Sequence, residues 1–264
     1  MTDSVVPATV GPWDIGRPPV ISYVPWTQLW DRFEHQVADL VRSSGAVAVG
    51  ELGGGANPTM ALAAGVGRPV DLTVLDISAA ELERSPSGVD TLCVDLCAAT
   101  PPVRERFDLV FSRMLCEHVS SGKAFHRNCH AALRPGGHAV HFFPAVTAVP
   151  FALNRVLPAP LSQGLLERMF PSRRSEGRHA KFPAEYHWCW GPTAPQLARY
   201  RSLGFQVLSY DVGIGHGYYQ RIPVVRALEA VKERVVLRHP SPWLAAFAIV
   251  VLRRAPASPG RHDC

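Results

Sequence analysis

Two spacings of apolar residues alternate along the chain. Leu29, Trp30, Phe33, Val37, Leu40 and Val41 recur near helical intervals, which predicts an amphipathic helix over Trp26 to Ser43. The short apolar run Ala46 to Leu52 predicts a first strand, with a helix from Thr59 to Ala64 behind it. Strands follow at Asp71 to Asp76, Thr91 to Val94 and Phe107 to Ser112, the last apolar throughout, as a strand covered on both faces should be. A helix from Ser121 to Leu133 stops at Arg134-Pro135-Gly136-Gly137, a turn signal, and His138 to Phe143 reads as the fifth strand. Alternation of this kind, with connections too short for anything but crossovers, implies a parallel sheet with right-handed crossings.

The rhythm then breaks. Val146 to Trp190 shows no regular alternation and is rich in Pro and Arg, so residues 146–190 read as a cap or insertion. Beyond it come a helix at Pro195 to Leu203, a strand at Phe205 to Asp211, a long helix at Ile222 to Leu237 and a last strand at Trp243 to Leu252. No internal repeat is visible. A chain of 264 residues can bury a sizeable core, and one α/β domain over 1–264 with the 146–190 insertion is expected.

Composition narrows the class. Hydrophobic content of 47% with 19% charged residues describes a soluble globular protein. The net charge of +5 is carried almost wholly by arginine, since Lys123, Lys181 and Lys232 are the only lysines. That balance permits an anionic substrate or loose contact with anionic lipid. A nucleic-acid surface would need basic residues clustered with aromatics, and outside residues 173–181 there is none, so no nucleic-acid partner is expected. The six cysteines, at 93, 97, 116, 129, 189 and 264, have no paired spacing and are read as reduced thiols. Met1 to Gly11 lacks a basic start followed by an apolar run, and Trp243 to Leu252 is only about half a membrane span. A cytoplasmic protein, monomeric or homodimeric, is the expectation.

The chemistry begins at the first strand. In Glu51-Leu52-Gly53-Gly54-Gly55-Ala56-Asn57-Pro58 a carboxylate precedes a glycine turn that lets backbone amides approach a ligand closely. A dinucleotide site wants a third glycine where Pro58 stands, and a carboxylate there would repel a pyrophosphate but suits an ammonium group. From these residues onward the chain resembles the class I S-adenosylmethionine-dependent methyltransferases, in particular the small-molecule group called type 11. The resemblance is detailed over about residues 44–145. It implies a Rossmann-like, seven-stranded, mostly parallel sheet with an antiparallel last strand, helices on both faces, and the cap after strand five. Glu51, Gly53, Gly55 and Asn57 match the motif that holds the methionine part of the cofactor. Asp76, with Ile77, matches the acidic residue that binds the ribose hydroxyls. Asp95, with Leu96, stands where the family reads the adenine amino group, and Phe107 to Ser112 matches the fourth motif. The implied cofactor is S-adenosyl-L-methionine.

Methyl transfer to a hydroxyl benefits from a base near the end of strand four. Glu117 and His118, in Glu117-His118-Val119, supply a carboxyl and an imidazole there. Some relatives bind a divalent metal with E-x-x-E-H, but Met114 stands at the first acidic position, so no metal is expected. Zinc is not expected either. His126, Cys129 and His130 share a helix face, but the spacing of His138 and His141 sends them to opposite faces of a strand. In the insertion, Tyr186 and His187 are the candidates for contact with the acceptor. The function implied is methyl transfer to a small molecule, a hydroxyl of a secondary metabolite, sugar or lipid-linked glycan. The alternative is a methyltransferase fold kept as a binding or partner subunit.

Overall fold

The computed structural model describes residues 13–59, 66–67, 69–148, 184–217 and 223–257. The expected helix at Thr59 to Ala64 and residues 149–183 of the expected cap lie largely or wholly outside them.

Eight strands form one sheet: β1 (Val20–Pro25), β2 (Ala48–Leu52), β3 (Asp71–Asp76), β4 (Asp90–Cys93), β5 (Phe107–Arg113), β6 (Leu133–Pro144), β7 (Phe205–Ile214) and β8 (Phe247–Arg254). Their order is β1-β7-β8-β6-β5-β2-β3-β4. β8 runs antiparallel to both β6 and β7, and every other pair is parallel. The mostly parallel sheet with an antiparallel last strand is therefore present. It gains an eighth strand, because Val20 to Pro25 adds to the edge beside β7 with Val20 opposite Ser209 and Pro25 opposite Ile214.

Helices follow the apolar spacing. α1 (Leu29–Ser44) buries Leu29, Phe33, Gln36, Val37, Leu40 and Val41, and ends at Gly45, whose φ of 70° lets the chain turn away. α2 (Ala79–Leu82) is a single turn capped by Ser78, whose hydroxyl accepts from the Glu81 amide. α3 (Gly122–Ala132) is capped in the same way by Ser121 and runs straight into β6. The expected turn at Arg134 to Gly137 is instead a bulge inside β6, between the pairs Phe107–Leu133 and Leu109–His138. α4 (Ala194–Ser202) follows the Thr193 cap. α5 (Pro223–Arg238) precedes a 3-10 turn at Pro242–Leu244, so the last strand starts at Phe247 rather than Trp243.

α1 covers one face of the sheet through the rings of Phe33, Phe111 and Phe142. On the opposite face His126 of α3, His141 of β6, Trp188 and Tyr200 of α4 pack together. Because β2 to β6 are parallel, their carboxyl ends share one edge, and the loops after Leu52, Asp76, Cys93 and Arg113 meet there.

Candidate functional site

The turn after β2 is built on two left-handed glycines, Gly53 at φ 73° and Gly55 at φ 47°. A Cβ on Gly53 would lie 2.7 Å from Leu115 Cδ1, and one on Gly55 would lie 3.2 Å from Asp76 Oδ2 and from Glu81 Cβ. The turn is thus pressed against both the β3 and β5 loops, and side chains are excluded on conformational and steric grounds together. Asn57 closes it by donating its amide to the Gly54 carbonyl at 3.0 Å.

Glu51 lies beneath that turn, 4% exposed. Its Oε2 accepts from the Thr59 amide at 2.8 Å and its Oε1 from the Thr59 hydroxyl at 2.9 Å. Burial raises its pKa, against the Thr59 bonds and the nearby Arg113 charge. The carboxylate therefore ties the far end of the glycine loop to β2, whereas the sequence led us to expect it turned toward a ligand. Thr59 was not foreseen as its partner; the signal available was a hydroxyl residue eight positions after a buried acid.

Asp76 ends β3 half-buried, with Oδ1 accepting the Ser78 amide at 2.9 Å. Ile77 beside it is 59% exposed, an apolar surface at the rim. The Asp76 carbonyl accepts the Val94 amide at 2.8 Å, which joins the β3 and β4 loops. Asp95 is exposed, and its Oδ1 accepts the Cys97 amide at 2.7 Å. Leu96 is 9% exposed, and Asn128 of α3 donates to its carbonyl at 2.9 Å. Both carboxylates are thus fixed by a neighbouring amide at one oxygen.

After β5 the backbone is strained. Met114 has φ 54°, a left-handed value for a residue with a side chain, at the carboxyl end of the central strand. Ser112 is fully buried, and its hydroxyl is bonded to His141 Nδ1 at 2.8 Å. Its side chain is turned into the interior, so a place at the cofactor, as expected of the fourth motif's last residue, falls to its backbone. A 3-10 turn at Cys116–His118 then presents Glu117 and His118. The Glu117 side chain is 5% exposed and that of His118 is 33% exposed, with Oε1 3.8 Å from Nε2. Among the described residues Glu117 Oε2 has no hydrogen-bond partner, and burial pushes the carboxyl up to about 8, only partly offset by a backbone hydrogen bond.

The segment 184–190 returns to this turn. The Glu117 carbonyl accepts the amides of Glu185 at 2.7 Å and Tyr186 at 3.0 Å, and His187 Nδ1 lies 3.3 Å from the Val119 carbonyl. The structure thus brings His187 beside the Glu117–His118 turn. Tyr186 is 4% exposed, so it packs under that segment and is a core residue rather than a surface contact. Among the described residues no group of three or more His, Cys, Asp and Glu side chains could hold a metal ion.

The family model described as a methyltransferase domain matches residues 50–141, the span that carries all of these loops up to His141. Residues 50–141 thus match a methyltransferase domain, set in a mostly parallel sheet with an antiparallel last strand, as class I S-adenosylmethionine-dependent methyltransferases have. A ubiquinone biosynthesis O-methyltransferase of Bradyrhizobium sp. (strain ORS 278) is 39% identical over 70 residues, which cover 26% of this chain and 27% of that protein. The match thus spans about a quarter of that relative's length. In architecture the chain is similar to the [4+2]-cyclase SpnF, with a TM-score of 0.52 at 18% identity over 89% of this chain and 85% of that one. A methyltransferase of Mesorhizobium loti dependent on S-adenosylmethionine gives 0.49 at 19% identity over 79% and 91%. A methyltransferase domain of this class uses S-adenosylmethionine, and the residues present fit that molecule. They offer a close-approach glycine turn, two carboxylates at neighbouring strand ends and an apolar rim.

Proposed function

We propose that this protein transfers a methyl group to a hydroxyl of a small molecule in the cytoplasm. The observation that carries the reading is the meeting of the glycine turn, Asp76, Asp95 and the Glu117–His118 turn at one edge of the sheet. An oxygen acceptor is favoured by the stretch of similarity to an O-methyltransferase. When bound, S-adenosylmethionine supplies an electrophilic methyl group on its sulfonium. Gly53 and Gly55 let backbone amides approach its amino-acid portion, and Glu51 keeps that turn folded. Asp76 accepts from the ribose hydroxyls, Asp95 accepts from the adenine amino group, and Ile77 and Leu96 supply apolar surface to the ring. His118 takes the acceptor's proton as its oxygen attacks, with Glu117 standing beside the imidazole. Of the expected cap, the described segment 184–190 borders the acceptor, with His187 as its polar contact. Holding the nucleophile in line is worth about 7 to 11 kcal/mol, and the base adds about 10²- to 10⁴-fold.

A second reading is a binding or partner subunit without methyl transfer, and the likeness in fold to a cyclase shows that this architecture is not tied to one reaction. Two measurements separate them. Calorimetry with S-adenosylmethionine should give saturable binding. Release of S-adenosylhomocysteine in the presence of a panel of phenols, sugars and polyprenyl-linked sugars should then identify a turned-over acceptor. No cofactor binding by folded protein overturns both the site and the function; binding without turnover of any hydroxyl acceptor leaves the partner-subunit reading.

A further inference from the structure

α5 turns an apolar stripe outward. Val224, Leu228, Val231 and Val235 are 71%, 64%, 54% and 52% exposed, at steps of four, three and four residues that align them along one side of the helix. Among the described residues of α5, Val236 is buried, at 3% exposure. Arg226, Arg234 and Arg238 are exposed on the same helix. Its two carboxylates are drawn inward instead. Glu229 bonds Lys232 Nζ at 2.6 Å and lies 3.8 Å from His216 Nε2, while Glu233 Oε2 stands 2.8 Å from where a Cβ on Gly215 would be. Just beyond the helix, Trp243 and Leu244 are 54% and 44% exposed. The stripe is therefore flanked on its helix by the exposed Arg234 and Arg238, no described carboxylate of α5 is fully exposed, and an exposed indole follows in the chain.

A second copy of the chain is a poor occupant for this side. A stable dimer buries about 800 Å² per partner, more than four aliphatic side chains supply, and pairing the stripe with itself would set arginines against arginines. An anionic bilayer surface suits it better. A helix lying in the interface inserts its apolar stripe by about 5–10 Å, its arginines meet anionic headgroups, and tryptophan prefers headgroup depth. We propose that α5, with Trp243 and Leu244, is a docking surface for an anionic membrane. The contacts of Glu229 and Glu233 with the residues just past β7 put α5 at the carboxyl edge of the sheet, so docking sets that edge against the lipid. Among the described residues no helix is long and apolar enough to cross a membrane, so the contact is one of lying on the surface. The docking itself does not depend on methyl transfer.

The test is flotation of the full chain with vesicles of equal parts phosphatidylglycerol and phosphatidylcholine, and with phosphatidylcholine alone. The protein should float with the mixed vesicles, weakly or not at all with the neutral ones, and less at high salt. Leu228→Ser combined with Val231→Ser should weaken partition by roughly tenfold or more, and Arg234→Glu combined with Arg238→Glu by about thirtyfold. These positions are exposed, so both variants should keep the wild-type circular dichroism, and the charge pair tests the idea if the serine pair misfolds. Equal partition to the two vesicle types, or partition untouched by both variants, overturns the proposal. A concentration-dependent dimer that the serine pair dissolves, without vesicle binding by the wild type, assigns the stripe to a second copy and overturns it too.

Discussion

Glu117 and His118 are adjacent in sequence yet live in different media, one buried and the other a third exposed. Because burial holds the folded Glu117 carboxyl at about 8 against 4.5 for the free group, its stabilising contribution is complete below about pH 4.5. It is lost as pH rises through about 8. Glu117→Gln, which cannot ionise, should therefore melt with the wild type near pH 4 and several degrees above it at pH 8.5; an equal gap at both pH values would contradict the burial argument. His126 and His138 have the opposite sign, since burial lowers both to about 4 from 6.5. Their contribution is present above pH 6.5 and is lost as pH falls through 4. For the cofactor, Asp76→Ala should weaken S-adenosylmethionine binding by about 1.5 to 3 kcal/mol, measured by calorimetry on folded protein. His118→Ala should lower kcat by about 10²- to 10⁴-fold at saturating substrate, and a loss below about threefold would leave positioning as the mechanism.

At the scale of elements, helices and strands with clean periodicity were legible. α1, β3, β5 and α4 lie within a few residues of their expected limits, because each buries one coherent face. β6 was not legible at its start. Arg134-Pro135-Gly136-Gly137 carries a turn signature, but Leu133 pairs with Phe107 before the bulge, and that pairing lies outside any local window. The junction between α3 and the 184–190 segment depends on Gly122, where a Cβ would meet the His187 carbonyl at 2.7 Å and Trp188 Cγ at 2.8 Å. Gly122→Ala should cost about 1 to 3 kcal/mol by overpacking. If this segment is the stem of an acceptor cap, the same variant should raise KM for the acceptor while cofactor affinity, read by calorimetry, stays near wild type.

Over the whole molecule, the edge strand β1 is joined to α1 and β7 through one buried acid. Asp211 of β7 is fully buried, accepts from the Ser22 hydroxyl and the Gln36 amide, and lies 3.7 Å from Arg32. Asp211→Ala would strand these donors, and a loss of about 3 to 5 kcal/mol is expected in denaturant unfolding. The antiparallel closing strand was implied by the family resemblance; the sequence by itself determined the alternation of elements, the parallel sheet, and the places of the glycine turn, Asp76 and Asp95 at strand ends. These follow from local causes: apolar periodicity, residues that permit a left-handed φ, and acids placed where strands end. Only the tertiary structure decided which polar groups face inward. Glu51 met Thr59, Ser112 met His141, Asp211 met Ser22 and Gln36, and Tyr186 went into the core. A polar side chain is buried when a partner from another element compensates its lost hydration, and that partner is chosen by how the elements pack.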